Sequence, residues 1–175
     1  MEKRIVAVSG KSGCGNSTVS RLLAERLGFR LVNYTFRNMA LERGISFEEI
    51  LELAQRDFSI DRELDARQVE LAREGDCVIG SRLALWLLPE ASLRLYLWAG
   101  PEARAARIQR REGGELSDIM AFTKARDERD HGRYLSIYNI DNDAFFGADL
   151  IINTERYEPL QIVEIAVAAL EQKKS

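Results

Sequence analysis

The run KRIVAVS over residues 3–9 passes directly into SGKSGCGNST, Ser9 to Thr18, and from there into helical spacing. A short β-branched apolar run without alternation reads as a strand covered on both faces, the kind found inside parallel sheets. Val19, Leu22, Leu23 and Leu27 then recur at helical intervals, and Gly28 supplies a stop. Strand, glycine-rich loop and helix in that order form the opening of an α/β crossover unit. The rest of the chain must then supply further strands for the first to pair with.

It does. Residues 29–33 (FRLVN), 76–80 (DCVIG), 93–98 (LRLYLW) and 149–153 (DLIIN) are four more short apolar runs. Ser46, Phe47, Glu48 and Glu49 form a capping box that opens a helix to about residue 56. Residues 61–73 read as another helix, ended by Gly75. Pro101 suits the first turn of a helix carrying Ala103, Ala106 and Ile108. An exposed turn at Gly113 and Gly114 follows, then a long charged helix over 117–137 and an amphipathic closing helix over 159–170. This alternation predicts one α/β domain over 1–175: a five-stranded parallel sheet flanked by helices and joined by right-handed crossovers. No internal repeat, low-complexity tract or linker divides it.

A chain of 175 residues, 46% apolar and 30% charged, can bury a full core. Its net charge of −3 argues against a general binder of nucleic-acid polymers or membrane surfaces. No apolar run reaches the ~18 residues of a membrane span, and MEKRIVAVSG lacks the features of a signal peptide. Cys14 and Cys77 offer neither metal spacing nor a disulfide framework. A cytoplasmic location is expected.

The loop fits G-x-x-x-x-G-K-S/T at Gly10, Gly15 and Ser17, but Asn16 stands in the lysine's position. Glycines let the backbone approach phosphate, and successive N–H groups through Ser12, Gly13 and Cys14 make a concave anion site at a helix N-terminus. Ser17 is the expected hydroxyl ligand of Mg²⁺, with Thr18 beside it. The lysine of such a loop places charge against the β- and γ-phosphates of ATP; asparagine donates a hydrogen bond but carries none. Losing one preorganised donor at an oxyanion costs about 3–4 kcal/mol in transition-state stabilisation. Lys11, directly after Gly10, is the nearest replacement, as in the variant loop of certain partitioning ATPases, which this stretch resembles; a lid arginine is the other.

Longer segments carry a resemblance over essentially the whole chain. NYTFRNMA (33–40), IDRELDARQVELA (60–72), SRLA (81–84) with Trp86, YNID (138–141) and ADLIINT (148–154) resemble elements of cytidylate kinases, especially the short archaeal-type ones. RDERDHGR (126–133) resembles the R-x-x-R-D-x-x-R string of the bacterial enzymes. The resemblance implies a P-loop nucleoside monophosphate kinase fold with helical acceptor-binding and short lid segments. It implies transfer of the γ-phosphoryl group of ATP, with Mg²⁺, to a pyrimidine monophosphate, CMP first among them. It places Arg37 and Arg82 on the acceptor phosphate, Arg126 and Asp130 on the acceptor sugar, and Arg133 on phosphate. Arg129 and Arg133 join Lys11 and Asn16 as candidate catalytic residues. Arg126, Arg129, Asp130 and Arg133 also share a helix face by spacing alone.

Arg107 and Arg111 share a face of the helix leading to the lid and are expected to close over the triphosphate, excluding water. Asp61 and Asp65 are candidates to contact the acceptor's base or a neighbouring arginine. Two departures stand out. Archaeal relatives also lack the loop lysine, but carry threonine there. They also have an acidic residue and glycine before R-L-A, where this chain has Gly80 and Ser81. The remaining singled-out residues have plainer expectations. His131 is expected on an exposed helix position, Trp86, Trp98, Tyr96, Phe145 and Phe146 in the core, and Cys14 as a small filler. Two alternatives stay open: a nucleotide-binding protein without turnover, and a kinase for another small anionic acceptor. Metal-dependent turnover separates the first, and an acceptor panel the second.

Overall fold

The computed structural model describes residues 3–172. Its strands β1 (Ile5–Ser9), β2 (Arg30–Val32), β3 (Cys77–Gly80), β4 (Leu93–Trp98) and β5 (Leu150–Asn153) form one five-stranded sheet in the order β2-β3-β1-β4-β5. Every pairing is parallel, with Val6 opposite Val78 on one side and Leu93 on the other. β1 is buried along its whole length, so both faces are apolar and no alternation appears in its sequence.

Period-two geometry sends alternate β1 side chains to opposite faces. Val6 and Val8 pack with Val19 and Leu23 of α1 (Asn16–Leu27) and with Ile162 and Val163 of α8 (Pro159–Gln172). Ile5 and Ala7 pack with Ala72 of α4 (Ser59–Ala72) and Ala84 of α5 (Ala84–Leu87). A third cluster joins Met39 of α2 (Phe36–Arg43), Ile50 and Ala54 of α3 (Phe47–Arg56), and Ile60 of α4. α6 (Pro101–Glu112) and α7 (Leu116–Tyr138) pack together. No described helix is long and apolar enough to cross a membrane.

The chain runs from β1 through β2 to β3 on one side of the sheet, then crosses to β4 on the other. That reversal leaves a crevice at the carboxyl end of β1, the position where open α/β sheets bind ligands. The glycine loop sits there.

The structure corrects the sequence reading in several places. α2 and α5 are helices where the sequence announces none: α2 buries only Met39 and Ala40, and α5 is four residues long. His131 is half-buried, its Nδ1 2.9 Å from Asn142 Oδ1. Trp98 at 42% and Phe146 at 86% are exposed rather than core. Trp86, Tyr96 and Phe145 do form a packed column, with Tyr96 and Phe145 stacked at 4.2 Å.

Candidate active site

Close approach explains two of the loop glycines. A Cβ on Gly10 would lie 2.5 Å from the Leu97 carbonyl and 2.6 Å from Asn16 Oδ1. Gly13 has φ +85°, and a Cβ there would lie 2.9 Å from Arg104 Cβ. α1 starts at Asn16, and its first turn opens into a cleft of about 460 Å³ lined by the loop, Gly80, Ser81, Arg82, Arg107 and Arg111. Ser17 and Thr18 are exposed on that turn. Cys14 is buried beneath the loop, and burial pushes its thiol up, as a filler requires.

Asn16 does not reach outward as a lysine would. Its Nδ2 donates to the Gly10 carbonyl at 2.7 Å, tying the two ends of the loop together. The local cation is Lys11, whose Nζ lies 2.5 Å from Asp143 Oδ1 and which lines the cleft.

α6 grips the loop from outside. Arg107 donates to the Gly13 carbonyl at 3.2 Å and to Thr154 Oγ1 and carbonyl at 2.7 and 2.6 Å, joining the loop to the end of β5. Arg111 is exposed, paired with Glu112 at the cleft's rim. Arg104, 5% exposed, donates to the Ser12 carbonyl at 3.1 Å and pairs with Asp127 of α7 at 2.6 Å. Nothing in the sequence marks Arg104 apart from its helical spacing to Arg107.

Around the carboxyl end of β3 a second set converges. Arg82 pairs with Asp130 at 2.5 Å. Burial works against the Arg82 charge, while Tyr134 and Asp130 beside it more than offset that. Arg126 is half-buried on α7, and burial first, and Arg82 second, push it below the usual arginine range, with Asp130 acting against both. Arg82, Lys11, Trp86, Asp127 and Asp130 close around a space of only about 10 Å³, room for roughly one water.

The other predicted acceptor residues lie farther out. Arg133 is tied to Asp61 and to the Ala54 carbonyl, its guanidinium 5.3 Å from the Phe58 ring. Tyr138 donates to Asp65 at 2.6 Å, and burial raises the Asp65 carboxyl to about 6. Arg37 is exposed, stacked over Phe47 at 4.2 Å. Arg129 is exposed and makes no ion pair among the described residues. The structure thus brings Arg82 and Asp130 to the loop, and places Arg133, Asp61 and Asp65 where α7 meets α3 and α4.

The loop suits a magnesium-bound triphosphate. Gly10 and Gly13 let the loop pack directly on Leu97 and Arg104, Gly15 takes φ +97° at the start of α1, and Ser17 offers a hydroxyl on the turn that lines the cleft. Ser81, at the end of β3, offers no carboxylate to support the ion.

Residues 5–156 match the Cytidylate kinase-like family. The chain is 44% identical over 164 residues to cytidylate kinase 2 of Borreliella burgdorferi, covering 91% of each protein. It is 38% identical over 172 residues to cytidylate kinase of Pyrococcus horikoshii, covering 97% of this chain and 90% of that one. Shikimate kinase from Bacteroides thetaiotaomicron superposes with a TM-score of 0.60 at 16% identity over 98% of each chain, a likeness of fold.

Proposed function

The chain belongs to the cytidylate kinase-like family, and on that premise we propose that it transfers the γ-phosphoryl group of ATP to CMP, giving ADP and CDP. The observation that carries this reading is the placing of two cations, Lys11 and Arg82, in the cleft that Gly10, Gly15 and Ser17 also line. Phosphate bound in that cleft neutralises both.

An oxygen of the CMP phosphate attacks the γ-phosphorus; the new P–O bond forms as the bond to the β-phosphate oxygen breaks, and that oxygen leaves on ADP. The acceptor oxygen is already anionic, so no general base is needed, and positioning with charge neutralisation lowers the barrier. Arg82 holds the acceptor phosphate bidentately, and we assign Arg126, which the resemblance places on the acceptor sugar, to the phosphate as a second cation. Lys11 takes the place of the missing loop lysine, and Asn16 keeps the loop closed. The Ser17 hydroxyl would hold Mg²⁺, which would supply charge neutralisation to the donor phosphates. Arg82 lines both the small space beside Asp130 and the cleft of about 460 Å³ at the loop, which has room for nucleotide phosphates.

A coupled assay of ADP formation with ATP, Mg²⁺ and CMP, dCMP, UMP, AMP or shikimate in turn tests this. Turnover highest with CMP and lost in Arg126→Ala supports it; turnover highest with another acceptor replaces CMP. The uncharged Asn16 tie favours one competing reading, a protein that binds nucleotide without turnover. Calorimetric binding of ADP and CMP with no product from any acceptor would establish it.

A further inference from the structure

Arg104 makes three hydrogen bonds to two groups from one buried position. Its Nη1 donates to the Ser12 carbonyl at 3.1 Å and to Asp127 Oδ1 at 3.3 Å, and its Nη2 to Asp127 Oδ2 at 2.6 Å. The ion pair is nearly dry, with side-chain exposures of 6% and 15%. The loop reaches it only because residue 13 is glycine: any Cβ there meets Arg104 at 2.9 Å.

A trans peptide points its C=O and N–H in opposite directions. Fixing the Ser12 carbonyl on Arg104 therefore turns the Gly13 N–H away from α6, and Gly13 lines the cleft. The next carbonyl, that of Gly13, is held by Arg107 at 3.2 Å. Asp127 lies one turn before Asp130, the partner of Arg82. One face of α7 thus carries one carboxylate braced to the donor loop and one braced to the acceptor arginine.

We infer that Arg104 and Asp127 are positioning residues that set the orientation of the Ser12–Gly13 peptide for the donor phosphates and tie that orientation to the position of α7. Arg104 acts through the loop backbone, and Asp127 acts through Arg104 while also bordering the small space beside Arg82. This rests on the donor-site reading proposed above.

Calorimetric titration with ADP in excess Mg²⁺, and separately with CMP, tests it on the intact chain. Asp127→Asn loosens the grip on Arg104 but leaves a buried cation poorly compensated, which costs stability. The double variant Arg104→Met/Asp127→Leu removes both charges, keeps the volume and frees the Ser12 carbonyl. Both variants should bind ADP about tenfold more weakly than wild type, with CMP affinity within about threefold, and their KM for ATP should rise in the same proportion. The double variant should melt close to wild type. ADP affinity within twofold of wild type in either folded variant overturns the inference, as does an equal loss for ADP and CMP. Wild type that binds ADP but does not turn over CMP overturns the kinase reading alone. Wild type that binds no ADP overturns the donor site and the inference together.

Discussion

The Lys11 ammonium lies 2.5 Å from the Asp143 carboxylate, so the loop's cation is matched by an acid from the segment ahead of β5. Asp143 is half-exposed, and such pairs contribute about 0–1 kcal/mol. A triphosphate carrying several charges outcompetes one carboxylate of that kind. Lys11 is therefore available to a donor, whereas Asn16 is engaged with the Gly10 carbonyl.

Lys11→Ala should lower kcat for CMP phosphorylation by about 100-fold, the cost of one preorganised donor at a developing anion. Asn16→Ala removes a neutral hydrogen bond within the loop, worth about 1 kcal/mol, and should lower kcat no more than about fivefold. Steady-state kinetics on both variants decide; similar small losses would remove Lys11 from the charge-bearing role.

Asp143→Asn should lower the KM for ATP by up to about fivefold, the most that a half-exposed ion pair of about 1 kcal/mol can withhold. Its KM for CMP should stay unchanged. A higher KM for ATP would show that Asp143 orients Lys11 for the donor instead of competing with it.

All five strands are legible in the sequence because each is a short apolar run bounded by polar or turn residues, and β4 spans the predicted residues 93–98. The strand order is not, since nothing local states which side of β1 the chain crosses to after β3. α2 escapes notice because its start is fixed by Thr35, whose N–H donates to Asn38 Oδ1 at 2.9 Å, and not by an apolar stripe. Within the site, Gly10, Lys11 and Ser17 follow from the loop pattern. Arg104 does not: its burial is decided by Asp127, in a different helix, and it shares α6 with three other arginines that look alike by spacing. Arg133 shares its helical spacing with Arg126, yet the Asp61 carboxylate and the Ala54 carbonyl draw it toward α3 and α4.

Arg126→Met should abolish most of the thermal stabilisation that CMP confers while leaving the ligand-free melting temperature equal or slightly higher. Arg126 carries a charge disfavoured by burial and by Arg82, so removing it relieves strain in the absence of an anion. With CMP at about 100 times Kd the wild type gains about 2.7 kcal/mol. Losing a charged hydrogen bond to phosphate, worth about 1.5–3 kcal/mol, removes most of that gain. Thermal unfolding with and without CMP is the measurement, and an undiminished CMP shift would place the acceptor phosphate elsewhere.

Asp65 predicts opposite effects on stability and activity. Burial raises its carboxyl from 3.8 to about 6, against the lowering effect of the Tyr138 hydroxyl. The folded protein therefore binds a proton there more tightly than the unfolded chain, and stability attributable to this group falls as pH rises from about 4 to about 6. Above that window the ionised carboxylate costs about 3 kcal/mol. Asp65→Asn keeps an acceptor for the Tyr138 hydroxyl and cannot ionise. It should raise the melting temperature at pH 7.5, with the gain shrinking to nothing near pH 4. If the carboxylate is retained for the acceptor's base, the same variant should raise the KM for CMP at least tenfold while leaving the KM for ATP alone. Melting curves across pH 4–8 beside CMP and ATP kinetics separate the two effects; unchanged CMP kinetics in a stabilised variant would leave Asp65 without a part in acceptor binding.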